Sequence, residues 1–504
     1  MSKILLDTNI IIHREASKVI NTDIGILFNW IDKLKYLKYI HPLTVEELNR
    51  NQDARTVETM NIKISSYNLI KNPAPTSDIL EAVSKQVDTT PNDRNDTLIL
   101  NEILCDRVDI LISEDKKIYT KAALLGISDK VYKIEQFLEK VVAENPDLVD
   151  YKVLAVKKVD FAQVDLQNAF FDSFREDYNG FDKWFNKKAD ETAYICYSNN
   201  ELSAFLYVKV EDENENYADI TPNFSRKKRL KIGTFKVTSN GFRIGERFLK
   251  IIFDNALQYR ISEIYVTIFD KRPEQQRLIA LLEEWGFYYF GNKTTPTGEE
   301  KVYVKDFDRN QLINSELPKK SFPFSSKLSK VYIVPIYPAY HTELFPDSIL
   351  RTESSKDFIE NEPHRNALSK VYISRSLYKD LKTGDLIVFY RTGESGNAIH
   401  TGVATTIGIV ESVIDNIPNE EAFVKLCRKR SVFTDDELKK HWNYRKTSKP
   451  FIVNFLYTHS LKKRPNLKWL NDNGIIPNIL DMPRGFREIT RENFNQILKY
   501  STGK

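Results

Sequence analysis

Four carboxylates in the first quarter of the chain are of the right type to act together: Asp7 in LLDTNIII, Glu47 in HPLTVEELNR, Asp96 in NDRNDTLIL and Asp115 in ISED. Each adjoins an apolar run that can anchor it. Brought together, they repel one another unless a cation compensates them. An all-oxygen donor set suits Mg2+ or Mn2+. A divalent ion held there lowers the pKa of its water and neutralises charge on a phosphodiester, so the chemistry implied is metal-assisted hydrolysis. Asp7, Asp96 and Asp115 would hold the metal. Glu47 would complete the cluster and position or deprotonate the water. Thr8, Asn9 and Ser113 are polar neighbours able to orient the carboxylates or a water, and Asp93 is a further ligand candidate. Asp96 and Asp115 also read as helix N-caps. Asp7 does not: a charge inside an apolar run is expected to be buried and to need a partner.

The elements that must position these groups alternate between strand and helix. Lys3–Ile12 and Val108–Ser113 read as buried parallel strands, while Ile24–Tyr39, Asp96–Leu104 and Lys116–Gly126 read as helices. This rhythm predicts a parallel α/β sheet, in which ligands sit at the carboxyl ends of the strands. Asp7 and Asp115 fall at such ends.

The segments LLDTNIII, VEELNR, NDTLIL and ILISEDKKI resemble, in order, the four motifs of PIN-domain nucleases. The resemblance covers about the first 135 residues. It implies a parallel sheet sandwiched by helices over residues 1–143, a catalytic set of Asp7, Glu47, Asp96 and Asp115, and Mg2+- or Mn2+-dependent cleavage of RNA. Glu47 is preferred to Glu46 because the family's glutamate precedes a leucine. Many PIN proteins are toxins and many pair, so a homodimer through this domain and an inhibitory protein partner enter as expectations.

Residues 191–306 have a different order. Two strands flank a polar SNNE turn, then come RLKIGTFKV, a helix over Phe242–Arg260, a strand over Ile261–Phe269, a helix over Gln275–Trp285 and WGFYYFG. This order resembles the GNAT acyltransferases, placing a central α+β domain at 151–307. The resemblance implies that the turn Ser239–Glu246 meets the pyrophosphate of acetyl-CoA at a helix N-terminus. Gly241, Arg243 and Gly245 would form that cradle, and Val237 would lie where the strand splays to pair with the pantetheine amide. The family pattern has a glycine where Arg243 stands, and Arg243 would either meet a phosphate or block the backbone approach.

The last part, 328–504, carries many short strands: VYIVPIY, DLIVFY, TIGIVESV and PFIVNFLY. A small β-barrel is expected. Lys382–Asp385 followed by LIVFYR, with the closing RGFREITRENFNQIL, resembles PUA-like domains of the ASCH and EVE kind. That implies nucleic-acid binding through stacking aromatics and cationic side chains, with Tyr390, Arg391, Trp442 and Arg445 as candidates. The charge fits: residues 311–504 hold 30 Lys and Arg against 21 Asp and Glu, whereas 1–310 hold 44 against 49.

The chain's 504 residues exceed what one core supports. Glu144–Tyr151 and Asn310–Lys330 read as linkers. Three scattered cysteines argue against a disulfide framework and for a reducing, cytoplasmic setting, and no apolar stretch is long enough to span a membrane. The sequence thus predicts an RNA-cleaving endoribonuclease with a C-terminal RNA-binding module. The alternatives are an acetyl-CoA-dependent N-acetyltransferase acting on an RNA-linked or protein amine, and a non-catalytic RNA-binding regulator.

Overall fold

The apolar start of the chain is strand for only four residues. In the computed structural model β1 (Lys3–Leu6) stops before Asp7, and TNIII continues as the helix Thr8–Glu15. The structure describes residues 2–15, 22–50, 57–58, 61, 64–145, 156–198, 201–238, 243–308, 317–348, 363–393, 398–428, 430–445, 448–478 and 484–503. The chain falls into two compact units, Met1–Val149 and Asp150–Lys504.

In the first unit β1 is central in a five-stranded sheet. It lies between β2 (Leu37–Ile40) and β4 (Ile110–Ile112), with β3 (Asn68–Leu69) and β5 (Val131–Tyr132) at the edges, all parallel. Ile4, Leu5 and Leu6 are all buried, so both faces of β1 are covered, as parallel sheets require. Leu5 and Leu111 pack on Ile99 and Ile103 of the helix Pro91–Leu104 and on Ile118 and Ala122 of the helix Lys116–Leu124. The stretch expected to be one helix over Ile24–Tyr39 divides. The helix Thr22–Lys33 ends at a turn with Lys35 at positive φ, and Leu37–Ile40 becomes β2.

The second unit holds two sheets. The first has eight strands in the order β6-β7-β8-β10-β11-β13-β12-β9: β6 (Val156–Asp160), β7 (Thr192–Ser198), β8 (Glu201–Glu211), β9 (Ile220–Thr221), β10 (Arg229–Val237), β11 (Glu263–Ile268), β12 (Tyr288–Thr295) and β13 (Gly298–Asp306). It is antiparallel except where β10 meets β11. The helices Ile244–Gln258 and Pro273–Glu284 flank β11 in sequence and share a core with it through Phe248, Ile252 and Leu282. The second sheet has the order β15-β18-β17-β16-β14-β19, from β14 (Val331–Ile336), β15 (Ser369–Ser374), β16 (Leu386–Arg391), β17 (Val403–Ile414), β18 (Phe451–Ser460) and β19 (Arg487–Ile489). Its β14–β16 pair is parallel, and β15 and β19 stand at its edges. Where a barrel was expected, the described strands form an open, mixed sheet.

One apolar core runs through both sheets of this unit. The expected linker Asn310–Lys330 contributes to it: Phe322 is buried with its ring 5.2 Å from that of Trp285. The other expected linker lies largely outside the described residues. An ion pair reinforces the join. Arg247, on the helix after β10, donates to both oxygens of Asp347 at 2.7 and 2.8 Å. Burial alone would raise the Asp347 carboxyl, but Arg247 holds it down at about 2. Asp347→Ala leaves the Arg247 guanidinium buried without its partner and is expected to cost about 3–5 kcal/mol, whereas replacing both members by apolar residues costs far less. Denaturant unfolding of the three proteins checks this.

Candidate functional site

The first unit brings the four predicted carboxylates into one electrostatic neighbourhood. Asp7 follows the carboxyl end of β1, and its N–H donates to Ile112 O of β4 at 3.1 Å. Ser113 Oγ donates to Asp7 Oδ2 at 2.6 Å and accepts from the N–H of Asp115 at 3.0 Å. Thr8 N–H donates to Asp7 Oδ1 at 2.7 Å. The Ser113 side chain and the Thr8 backbone therefore hold Asp7, while Thr8 Oγ1 donates to Thr44 Oγ1 at 3.2 Å. Asn9 Oδ1 is buried with no hydrogen-bond partner. Asp115 caps the helix Lys116–Leu124, accepting from Lys117 N–H at 2.6 Å. Asp96 is not a cap: the helix begins at Pro91 and puts it in the second turn, while Thr90 and Asp93 form the capping box. Asp93 is committed elsewhere, with Lys117 Nζ at 2.7 Å, and this bond with those from Thr89 and Thr90 holds its carboxyl well below the usual range. Glu46 is exposed and Glu47 half-buried.

Burial first, then the charges of Glu47 and Asp115, raise Asp7 to about 6 against the bonds from Ser113 and Thr8. Burial, Asp7, Asp115 and Glu47 raise Asp96 to about 7, opposed by Lys121. These are uncompensated carboxylates, and with the orphaned Asn9 oxygen they are the donor chemistry of a hard-cation site. As they stand, however, no three His, Cys, Asp or Glu side chains among the described residues are close enough to hold one ion jointly. The two raised carboxyls also set a pH dependence. Below about pH 3 both are protonated in the folded and unfolded chain alike. As pH rises toward 7 the unfolded chain ionises first, so stability falls across that window and stays low above it. In EDTA, Asp96→Asn is expected to raise the thermal midpoint of this unit by a few degrees at pH 8 and not at pH 3. Melting curves at the two pH values check it.

The second unit contains a cleft. The β10–β11 pairing runs from Leu230–Ile264 to Ile232–Val266 and stops there. Past that point β10 stays paired to β8, through a register shift between Ile232 and Thr234, as far as Val237–Ala204. The two parallel strands thus part at Gly233. A Cβ on Gly233 would sit 2.6 Å from the Tyr207 ring, so only glycine leaves that ring in place. The cleft at the split encloses about 830 Å³ and is lined by the edge of β10 from Ile232 to Val237, by Val266–Ile268 of β11 and by the start of the helix Ile244–Gln258.

Of the predicted cofactor residues, Val237, Arg243 and Gly245 line this cleft, and Gly241 lies outside the described residues. Arg243 is the helix N-cap at φ 54°, so it takes the left-handed conformation a glycine would otherwise supply. Its guanidinium bonds Glu246, and its Nε is buried without a partner. The first-turn amides of Ile244, Gly245 and Glu246 precede the first intrahelical bond, from Arg247 N–H to Arg243 O. They are positioned to receive an anion.

Sequence reasoning passed over several cleft residues. Lys231 is a charge within an apolar strand, the same signal that singled out Asp7. Tyr178 donates to Glu300 Oε1 at 2.5 Å and ties the helices before β7 to β13. Those two residues are 122 apart, and no local pattern links them.

The C-terminal candidates fare differently. Tyr390 and Arg391 are almost wholly buried in β16, a strand flanked by β14 and β17, and cannot present a stacking or cationic face to solvent as they stand. Trp442 is also buried, packed on Phe423 at 5.4 Å. Arg445 is exposed, over the ring of exposed Tyr444 at 5.6 Å. Among the described residues no helix is long and apolar enough to cross a membrane.

No known family profile matches the chain, and no curated protein matches it. Solved structures that align with about a third of it include acetyltransferases. The NatC complex bound to Gag peptide and CoA is 16% identical, covering 31% of this chain and 100% of that one, with TM-score 0.22. An N-acetyltransferase from Staphylococcus aureus Mu50 is 14% identical over 30% and 96%, with TM-score 0.22. Arabidopsis thaliana Naa50 in complex with a bisubstrate analogue is 16% identical over 31% and 100%, with TM-score 0.21.

Proposed function

We propose that the second unit is an acyl-CoA-dependent N-acyltransferase of GNAT type, with its active site in the cleft where β10 and β11 part. The observation that carries this reading is the end of the parallel pairing at Ile232–Val266, which leaves one edge of β10 open beside a formed cavity. An extended amide chain such as pantetheine pairs with a free strand edge through main-chain hydrogen bonds. The helix start at Arg243–Glu246 supplies N–H groups and a cation for the phosphates. An acceptor amine entering the cleft attacks the thioester carbonyl, the C–N bond forms, and CoA leaves as thiol with the proton the amine gives up. The test is CoA thiol release from acetyl-CoA by the full chain, in the presence of peptides with free N-termini and of aminoacylated tRNA. No release with any amine would sink the proposal.

A second reading is favoured by the raised carboxyls of Asp7 and Asp96, each pushed up by burial and by neighbouring carboxylates. The first unit would hydrolyse RNA with Mg2+ or Mn2+ held by Asp7, Asp96 and Asp115. The bound ion would supply charge neutralisation at the phosphodiester and an acidified water. Ser113 and Thr8 hold the Asp7 carboxylate in place, and Glu47 contributes the fourth charge. This reading stands second because its carboxylates do not yet converge, whereas the cleft is already formed. RNA binding by the C-terminal sheet remains an expectation resting on its basic charge and on the exposed Tyr444 and Arg445.

A further inference from the structure

We propose that Lys231 is an acyl acceptor built into the cleft, so that in the absence of another amine the chain acylates itself on β10. The inference rests on the reading of the cleft as an acyl-CoA site. The phosphates would lie at the helix start, beyond the carboxyl end of β10, so the thioester end of the cofactor points back toward the split at Gly233. Lys231 stands two residues before that split, opposite Tyr265, and its side chain lines the cleft.

Its amine is held without being tied up. Nζ lies 3.6 Å from Glu211 Oε1 and 5.5 Å from the Tyr265 ring centroid. Glu211 already accepts from Tyr265 Oη at 2.6 Å and from Tyr217 Oη at 3.0 Å. Of the other lysines on the cleft wall, Lys236 donates to Ser173 Oγ at 2.8 Å and to Phe170 O, Lys188 donates to Glu191 Oε1 at 2.6 Å and Lys209 bonds Glu215 at 3.3 Å, while Lys293, on β12, pairs with Asp219 at 3.5 Å. Burial also lowers the Lys231 pKa, against the pull of Glu211, and increases the fraction of neutral amine. A neutral lysine in a desolvated site is a competent nucleophile. The step balances: the amine nitrogen attacks the thioester carbonyl, the C–N bond forms, the C–S bond breaks, and the proton lost by the amine passes to the departing CoA thiolate, with Glu211 placed to relay it.

The experiment incubates the full chain with acetyl-CoA and no added amine, follows thiol release, and maps acetyl-lysine by peptide mass spectrometry. The expected result is a burst of one thiol per chain, with the acetyl group on Lys231. Lys231→Arg, which keeps the positive charge, should lose the burst while retaining the wild-type melting curve. Lys209→Arg should keep the burst. Acetyl-CoA binding without a burst, a burst unchanged in Lys231→Arg, or label spread evenly over surface lysines would overturn the inference. If acetyl-CoA does not bind at all, the reading of the cleft falls with it, and calorimetry separates that case from the others.

Discussion

Gly245→Trp is expected to weaken acetyl-CoA binding by at least about a hundredfold, equivalent to about 2.7 kcal/mol. Gly245 lies in the first turn of the helix Ile244–Gln258 and lines the cleft. An indole there covers the first-turn amides and fills the space the phosphates need. Among the described residues outside its own helix, an added Cβ meets the Leu281 Cδ2 methyl at 2.9 Å, the end of a flexible side chain that can move aside. Calorimetric titration of wild type and variant checks the loss, and matched melting curves establish that the variant is folded. A smaller side chain at the same place, in Gly245→Ala, should reduce affinity far less. Equal affinity in wild type and Gly245→Trp would place the cofactor elsewhere.

Asp7→Asn and Asp96→Asn are each expected to reduce Mn2+-dependent cleavage of single-stranded RNA by more than about a hundredfold, if the first unit is a nuclease. Loss of an outer-shell partner alone typically costs 10–100-fold, and a direct ligand costs more. Asp7→Asn keeps one oxygen, which can accept from Thr8 N–H, and its new NH2 can donate to Ser113 Oγ in place of the bond that Ser113 made, so the charge is removed with little loss of local bonding. Glu46→Gln serves as the control, because that side chain is exposed and is not among the charges that raise Asp7 or Asp96. Cleavage that persists in EDTA, or that both variants retain, would contradict the reading. Neither variant should change acetyl-CoA binding, since the carboxylates and the cleft lie in separate compact units.

How far the fold was legible depended on whether a local pattern matched the tertiary surroundings. The buried runs around Leu5 and Leu111 are strands because parallel strands covered on both faces need continuous apolar sequence. The strand boundary was less legible. TNIII is β-branched and reads as strand, but the chain turns into helix at Thr8, because tertiary placement overrides weak propensity. Asp7 stood out as a charge in an apolar run. Lys231 in RLKIGTFKV carried the same signal, yet it became meaningful only once β10 and β11 were seen to part. Arg243 was ambiguous in sequence because a glycine was expected there; its left-handed backbone accounts for that preference, and Arg243 adopts the conformation without being a glycine. Trp442 could have been read correctly, since Leu438 four residues earlier shares its helix face and both are buried. Tyr390 and Arg391 could not: only the strand order shows β16 to be central, with every residue of LIVFYR buried.

The measurement that bears most directly on the central claim is a calorimetric titration of the full wild-type chain with acetyl-CoA, run beside acetyl-pantetheine. The account predicts saturable binding of one acetyl-CoA per chain, with acetyl-pantetheine weaker because it lacks the phosphates that meet Arg243 and the helix start. No heat of binding up to millimolar acetyl-CoA, or equal affinity for the two ligands, would contradict the assignment of the β10–β11 split as an acyl-CoA site.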